Sequence, residues 1–202
     1  MRRTIVAEVI AIAMFALVLY GQEIRAQDST PPPTMSAGDA DEQLWKLAAR
    51  QSGVDVIDLY AIAFKESRRR RADGAWRPWP WTLNSPQTGA LYFDTYEAAL
   101  TKLKSLIESG ERNIDIGLMG INWRWNGHRV SDYASLLKPA TNIPIAATIY
   151  KEHLDAWGGD RREAIARYHS SRVELGVPYA AAVISIAEDL RSVASIRFVL
   201  AE

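Results

Sequence analysis

Residues 55–67 read DVIDLYAIAFKES, and this stretch decides the fold class. Leu59, Ile62 and Ala63 recur at helical spacing, and Glu66 falls on the same stripe, seven positions after Leu59. Ahead of it, Ser52-Gly53-Val54-Asp55 resembles a capping box with Asp in place of the usual Glu. The pattern predicts a strongly apolar helix from Asp55 to about Ser67. Such a helix needs other helices to bury it, and it ends by carrying a carboxyl on its apolar side.

The flanking sequence supplies those helices. Asp41 to Ser52 is a candidate helix with Leu44, Leu47 and Ala48 on one side, and Tyr96 to Ser109 is amphipathic and stops at Gly110. Pro144 is read as opening a further helix, with Ile145, Ile149, Leu154 and Trp157 near one face, closed by Gly158-Gly159. Asp160-Arg161-Arg162-Glu163 gives a second capping-box-like start for a helix through Tyr168. Pro178 is read as the first turn of a long last helix, with apolar positions at 179, 182, 183, 186, 190 and 193. Between these lie residues 74–93, rich in Gly, Pro, Asn and Trp, and the glycine-containing run from Ile114 to Trp125. Neither is a simple helix. The expected fold is mainly α, in the α+β class, with a small irregular or β element in the middle.

Composition narrows the chemistry. The 202 residues suit one domain plus accessory segments, and 24 basic residues balance 24 acidic ones. No overall basic field exists to attract nucleic acid. With no cysteine, thiol chemistry, disulfides and cysteine-ligated zinc are excluded. Three histidines (His128, His153 and His169) without a His-Glu-x-x-His pattern give no zinc hydrolase signature. No metal and no cofactor are expected.

At the N-terminus, Arg2 and Arg3 precede an apolar run from Ile5 to Leu19, followed by Ile24-Arg25-Ala26. This is the order of a secretory signal, residues 1–26, with cleavage after Ala26 and a periplasmic mature protein. The alternative is a retained membrane anchor, since the run approaches the lower limit for a span. Residues 27–40 (QDSTPPPTMSAGDA) read as a flexible linker.

Glu66 is the residue that could do chemistry. Desolvation disfavours its anion, and so does the negative end of the helix dipole, so both raise the carboxyl pKa. A carboxylic acid kept protonated near neutral pH can hand a proton to a leaving oxygen. The competing reading is a glutamate that turns to solvent at a fraying helix end, or pairs with the arginines beside it.

Phe64-Lys65-Glu66-Ser67, then Ile116-Gly117-Leu118-Met119-Gly120-Ile121-Asn122, then Ala166-Arg167-Tyr168-His169, resemble in order the soluble lytic transglycosylase family. That family has a lysozyme-like fold, and its usual marks are Glu-Ser at a helix end, Gly-Leu-Met-Gln and Ala-Tyr-Asn. The resemblance covers about residues 41–175, leaving 176–202 as a C-terminal helix on the domain. Arg77 to Asn84 and Asn113 to Gly117 resemble the branch that accompanies conjugation and type IV secretion. The resemblance implies peptidoglycan as substrate, cleaved between N-acetylmuramic acid and N-acetylglucosamine to leave a 1,6-anhydro end. It also implies envelope-spanning secretion or pilus proteins as partners. By the same resemblance Glu66 is the acid and then the base, and Ser67 fixes it or touches sugar. Gly117, Leu118 and Met119 line the cleft, while Tyr168 and His169 bind the carboxyl or an N-acetyl group. Gly120 stands where glutamine is usual and His169 where asparagine is usual. The first departure keeps open a non-catalytic glycan-binding or scaffold subunit.

Other features have two readings each. Trp76, Trp79, Trp81, Trp123 and Trp125 flank the motifs and either stack on sugars or pack the core. Arg68 to Arg71 either attract the carboxylates of wall peptides or form a solvated charge run. Asp73, Asp94 and Asp115 are candidates for a second carboxylate, which would make ordinary lysozyme hydrolysis available. The last helix either covers the core or docks a partner.

Overall fold

The computed structural model describes residues 42–200, with side chains to residue 193, so the signal segment, the linker and Asp41 lie outside the described residues. The fold is mainly helical with a small antiparallel sheet. Two helices come first, α1 (Glu42–Ser52) and α2 (Val56–Ser67). Four short strands follow: β1 (Arg68–Arg70), β2 (Trp76–Pro78), β3 (Thr82–Ser85) and β4 (Gly89–Tyr92). After α3 (Tyr96–Glu108) come β5 (Asp115–Ile116), β6 (Ile121–Asn122) and the single turn α4 (Trp123–Asn126). The chain ends in α5 (Pro139–Ala156), α6 (Arg161–His169) and α7 (Val173–Leu200). Among the described residues no helix is long and apolar enough to cross a membrane.

Helix α2 is the centre of the core. Leu59, Ala61, Ile62 and Ala63 are wholly buried, as are Leu103 of α3, Ala146 and Ala147 of α5, Ile165 of α6 and Ala180, Val183 and Ala187 of α7. Its start differs from the capping box expected at Ser52. Gly53, at φ +68°, ends α1, with the Val54 N–H returning 3.0 Å to the Ala49 carbonyl. Asp55 is the N-cap, accepting from the N–H groups of Ile57 (2.8 Å) and Asp58 (3.0 Å). The cap expected at Asp160 is present, accepting from the Glu163 N–H at 3.0 Å.

A buried ion cluster, not legible in the sequence, clamps α2 to the C-terminal helices. Asp58 is 2 % exposed and accepts two bonds from Arg161 (2.6 and 2.7 Å), one from Arg191 (2.8 Å) and one from Tyr150 (3.3 Å). Burial alone would raise its pKa, but the two guanidinium groups outweigh that and hold it below the usual carboxylate range. The four residues sit on α2, α5, α6 and α7, so the clamp fixes the angles at which those helices meet.

Both prolines read as helix starts lie inside helices. Pro139 is the first residue of α5, and Pro144 follows a turn and a half later. Helix α7 begins at Val173, so the boundary placed at 175/176 falls within it. Pro178 lacks the N–H that would reach the Glu174 carbonyl, and both residues are exposed there, leaving that carbonyl to water. The arginine run starts as a strand, and its last two residues, Arg70 and Arg71, are exposed. Arg68 to Arg70 form β1, paired with β2 in the register Arg68↔Pro78 to Arg70↔Trp76.

The larger sheet, in the order β4-β3-β5-β6, builds one wall of a groove. Its register sets Asn84 opposite Asp115 and Asp115 opposite Asn122, so these three side chains stand in a row on one face.

Candidate active site

Glu66 lies in the last turn of α2, part-exposed at the floor of a groove of about 690 Å³ between the sheet and helices α5 and α6. Asn84, Asp115, Asn122, Gly120, Trp125, Tyr168 and His169 contribute to its walls. A smaller recess of about 130 Å³, between Glu66, Thr82, Asn84, Ala90, Asp115, Gly117 and Gly120, opens beside it.

The carboxyl accepts a hydrogen bond from the phenol of Tyr179, which reaches Oε1 at 2.5 Å. Burial pushes the Glu66 pKa up to about 7. The Tyr179 hydrogen bond works against this by stabilising the anion, Asp115 adds to the rise through its negative charge, and Lys65 lowers it slightly. The arginines after Glu66 do not neutralise it. Arg68 lies over the Phe64 ring at 5.7 Å, and Arg69 lies over Trp79 and pairs with Asp94 at 2.8 Å. The reading that Glu66 pairs with them fails because the strand turns them away.

Tyr179 is 6 % exposed and stacks face to face on His169, centroid to centroid 4.2 Å with planes 3° apart. Burial and the nearby Glu66 charge keep its phenol protonated far above neutral pH, so it is a fixed donor. Burial lowers the His169 pKa, with Asp115 opposing, so the imidazole facing the groove is neutral at pH 7.

Asp115 is held by two amides, Asn122 to Oδ1 at 2.8 Å and Asn84 to Oδ2 at 3.0 Å. Burial raises its pKa against the pull of these hydrogen bonds. It lines the groove with Glu66, as does Glu152, which pairs with Arg129. Asp73 and Asp94 instead bridge to Arg77 and Arg69.

The chain matches no family model, no curated protein and no solved structure. The site is therefore read from its own geometry.

Several residues expected to touch substrate have other work. Ser67 is wholly buried, so it touches no sugar. Its hydroxyl lies 2.7 Å from the Leu118 carbonyl and accepts from the Trp79 N–H at 3.1 Å, tying the end of α2 to the 117–120 turn. The side chains of Leu118 (4 % exposed) and Met119 (0 %) are core, not cleft lining. The Tyr168 phenol donates to the Met119 carbonyl at 2.8 Å rather than to Glu66, while its ring lines the groove.

The turn itself is pinned by Asn142, wholly buried on α5. It donates to the carbonyls of Ile116 (2.9 Å) and Leu136 (2.8 Å) and accepts from the Met119 N–H (2.9 Å). Gly117, at φ +79°, is required here because a Cβ would come within 2.4 Å of the Asn142 amide and 2.5 Å of the Leu136 carbonyl. At Gly120, φ +59°, a Cβ would stand 2.7 Å from Glu66 Oε2. The missing side chain at 120 is what leaves room for the acid in this position.

Sequence reasoning missed Tyr179 and Asn142. Tyr179 was counted only as an apolar position of the last helix, and its hydroxyl was the available signal. Asn142 gave the signal of a polar residue amid the apolar α5 segment. Of the tryptophans, Trp45 is core and Trp76, Trp81 and Trp123 pack against it, whereas Trp125 is 67 % exposed on the groove rim. Among the described residues, no three His, Asp or Glu side chains group so as to hold a metal.

Proposed function

We propose that this protein is a peptidoglycan lytic transglycosylase of the periplasm, with Glu66 as its one acid and base. The observation that carries the reading is the Glu66 carboxyl, raised to about 7 by burial and held by Tyr179, at the floor of a sugar-sized groove. The motif order from Glu66 through Gly117 to Tyr168 and the export-type N-terminus support the same reading.

In this mechanism Glu66 gives its proton to the glycosidic oxygen as the bond from that oxygen to the muramic C1 breaks. The resulting carboxylate is stabilised by the Tyr179 hydrogen bond. It then takes the proton of the muramic 6-hydroxyl while O6 bonds to C1, which closes the 1,6-anhydro ring and restores the acid. No water is consumed. Trp125 offers an exposed aromatic face for stacking on a sugar ring. Local opening of the wall for an envelope-spanning machine is the biological role that fits an exported enzyme of this kind.

One observation favours a second reading. Asp115 lines the groove and its side recess together with Glu66, and a second carboxylate there could activate water, giving a lysozyme. The non-catalytic reading starts from Gly120, where a Cβ would stand 2.7 Å from Glu66 Oε2, so the glycine also makes room for the acid. Digestion of purified sacculi, with mass spectrometry of the released fragments, tests all three. Anhydromuramic ends, absent with Glu66→Gln, are expected. Reducing muramic ends would replace the transglycosylase with a hydrolase, and no release at any pH would reject catalysis.

A further inference from the structure

Asn113 marks one edge of the groove. On the far side of the α4 turn a second, more open hollow of about 680 Å³ is bounded by Gly110, Arg112, Asn113, Trp123, Arg124 and His128, among others. Asn113 lines both spaces. Its side chain accepts from Asn122 at 2.8 Å, and the same Asn122 amide also reaches Asp115, so the hollow borders the groove at a residue one amide away from Asp115. Two glycines stand at its edge. Gly110 ends α3 at φ +90°, and Gly127 lies so close to the Trp123 ring that a Cβ would come within 2.8 Å of it.

The charge of this hollow is one-sided. Arg112, Arg124 and His128 are exposed around it, and Glu111 is its one acid. That acid is turned to the backbone, accepting from the N–H groups of Arg112 (2.9 Å) and Asn113 (2.8 Å). Arg112 donates to the carbonyls of Ile107 and Glu111, which orients it without neutralising it. Arg124 lies over the Trp125 ring at 5.0 Å. Among the described residues neither arginine has a carboxylate within ion-pair distance. The other groove-side arginines do: Arg129 pairs with Glu152 and Arg167 with Glu163. Two oriented guanidinium groups without a carboxylate partner, beside a glycan-sized groove, fit a carboxylate.

We infer that this hollow is an anion subsite for a carboxylate-bearing substituent of the muramic acid residues of the strand in the groove. The inference rests on the reading of the groove as a glycan site. Two carboxylates share this chemistry, the lactyl acid of a strand stripped of peptide and the acids of an attached stem peptide. The hollow discriminates strands by their charge, whereas Glu66 acts on the bond.

The test is binding to purified Glu66→Gln protein, which leaves the ligand uncut, by calorimetry at low salt. Three probes are used: neutral N-acetylglucosamine tetramer, peptide-free disaccharide tetramer with lactyl acids, and the same tetramer carrying stem peptides. The expected result is a preference for an acidic probe over the neutral one. That preference falls about three- to fivefold with Arg112→Gln or Arg124→Gln, is kept by Arg112→Lys or Arg124→Lys, and fades at high salt. Preference already present with the peptide-free probe assigns the lactyl acid, and preference only with the peptide-bearing probe assigns the stem. Equal affinity for all three probes, or a preference that survives both Gln substitutions in folded protein, overturns the subsite and leaves the glycan reading intact. No binding of any probe overturns both.

Discussion

Tyr179→Phe removes one oxygen from the site and leaves the ring, its burial and its stacking on His169 in place. The lost contact is a 2.5 Å hydrogen bond to Glu66 Oε1, and it favours the carboxylate over the acid. A bond to a charged group contributes about 1.5–3 kcal/mol. At about 1.36 kcal/mol per pH unit, its removal lifts the Glu66 midpoint by roughly 1–2 pH units. Activity that needs Glu66 protonated declines as pH rises through about 7. In the variant this alkaline limb moves up to roughly pH 8–9 by the same arithmetic. The carboxylate formed in the transition state has also lost its donor, so the plateau rate drops about ten- to a hundredfold. The assay is release of soluble fragments from sacculi between pH 4 and 10, with circular dichroism confirming the fold. An unmoved or lowered alkaline midpoint in folded protein would show that Tyr179 does not set the protonation of Glu66.

Three further outcomes follow from the same geometry. Glu66 has a folded-state pKa of about 7 against an ordinary 4.5, so its proton stabilises the fold fully below about pH 4.5, and this is lost as pH rises through 7. Glu66→Gln, neutral and of equal size, is therefore more stable than the natural protein at pH 8 by up to about 3 kcal/mol, less what groove water screens, and equal to it at pH 4. Denaturant titration at both pH values checks this, and a gap of the same size at each speaks against it. Gly120→Ala puts a Cβ where Glu66 Oε2 now lies, and the flexible carboxyl end yields before the backbone does. Activity falls at least tenfold while stability drops by about 1 kcal/mol for the left-handed backbone; unchanged turnover would mean the acid works from another position. Trp125→Ala on the exposed rim leaves the denaturation midpoint unmoved and weakens glycan binding about fivefold, as calorimetry would report.

The helical frame was legible because its signals are local. The stripe from Leu59 to Glu66, the cap at Asp160 and the stop at Gly110 depend on residues within a turn or two of each other. The mistaken helix starts at Pro144 and Pro178 have a common cause. Proline is favoured in a first turn, but each of these stands five residues in, early enough for the freed carbonyl to find water. Glu66 was legible as a polar residue on an apolar stripe. Its partner was not, because Tyr179 is 113 positions away and meets it only once α7 has docked. The same holds for Asn142, which secures a turn more than 20 residues earlier, and for the Asp58 clamp across four helices. Short motifs named the segments that meet at the groove. Which atoms face it depended on long-range packing, so Ser67, Leu118 and Met119 proved to be supports rather than contacts.

The protonation of Glu66 itself is open to direct observation. With carbon-13 placed in glutamate side-chain carboxyls, the Glu66 resonance is identified by its loss in Glu66→Gln and followed from pH 3 to 9. A titration centred on about 7 is what burial beside Asp115 and Tyr179 requires. A midpoint near 4.5 would mean a solvated, ionised carboxylate at neutral pH, with no proton to give to a glycosidic oxygen.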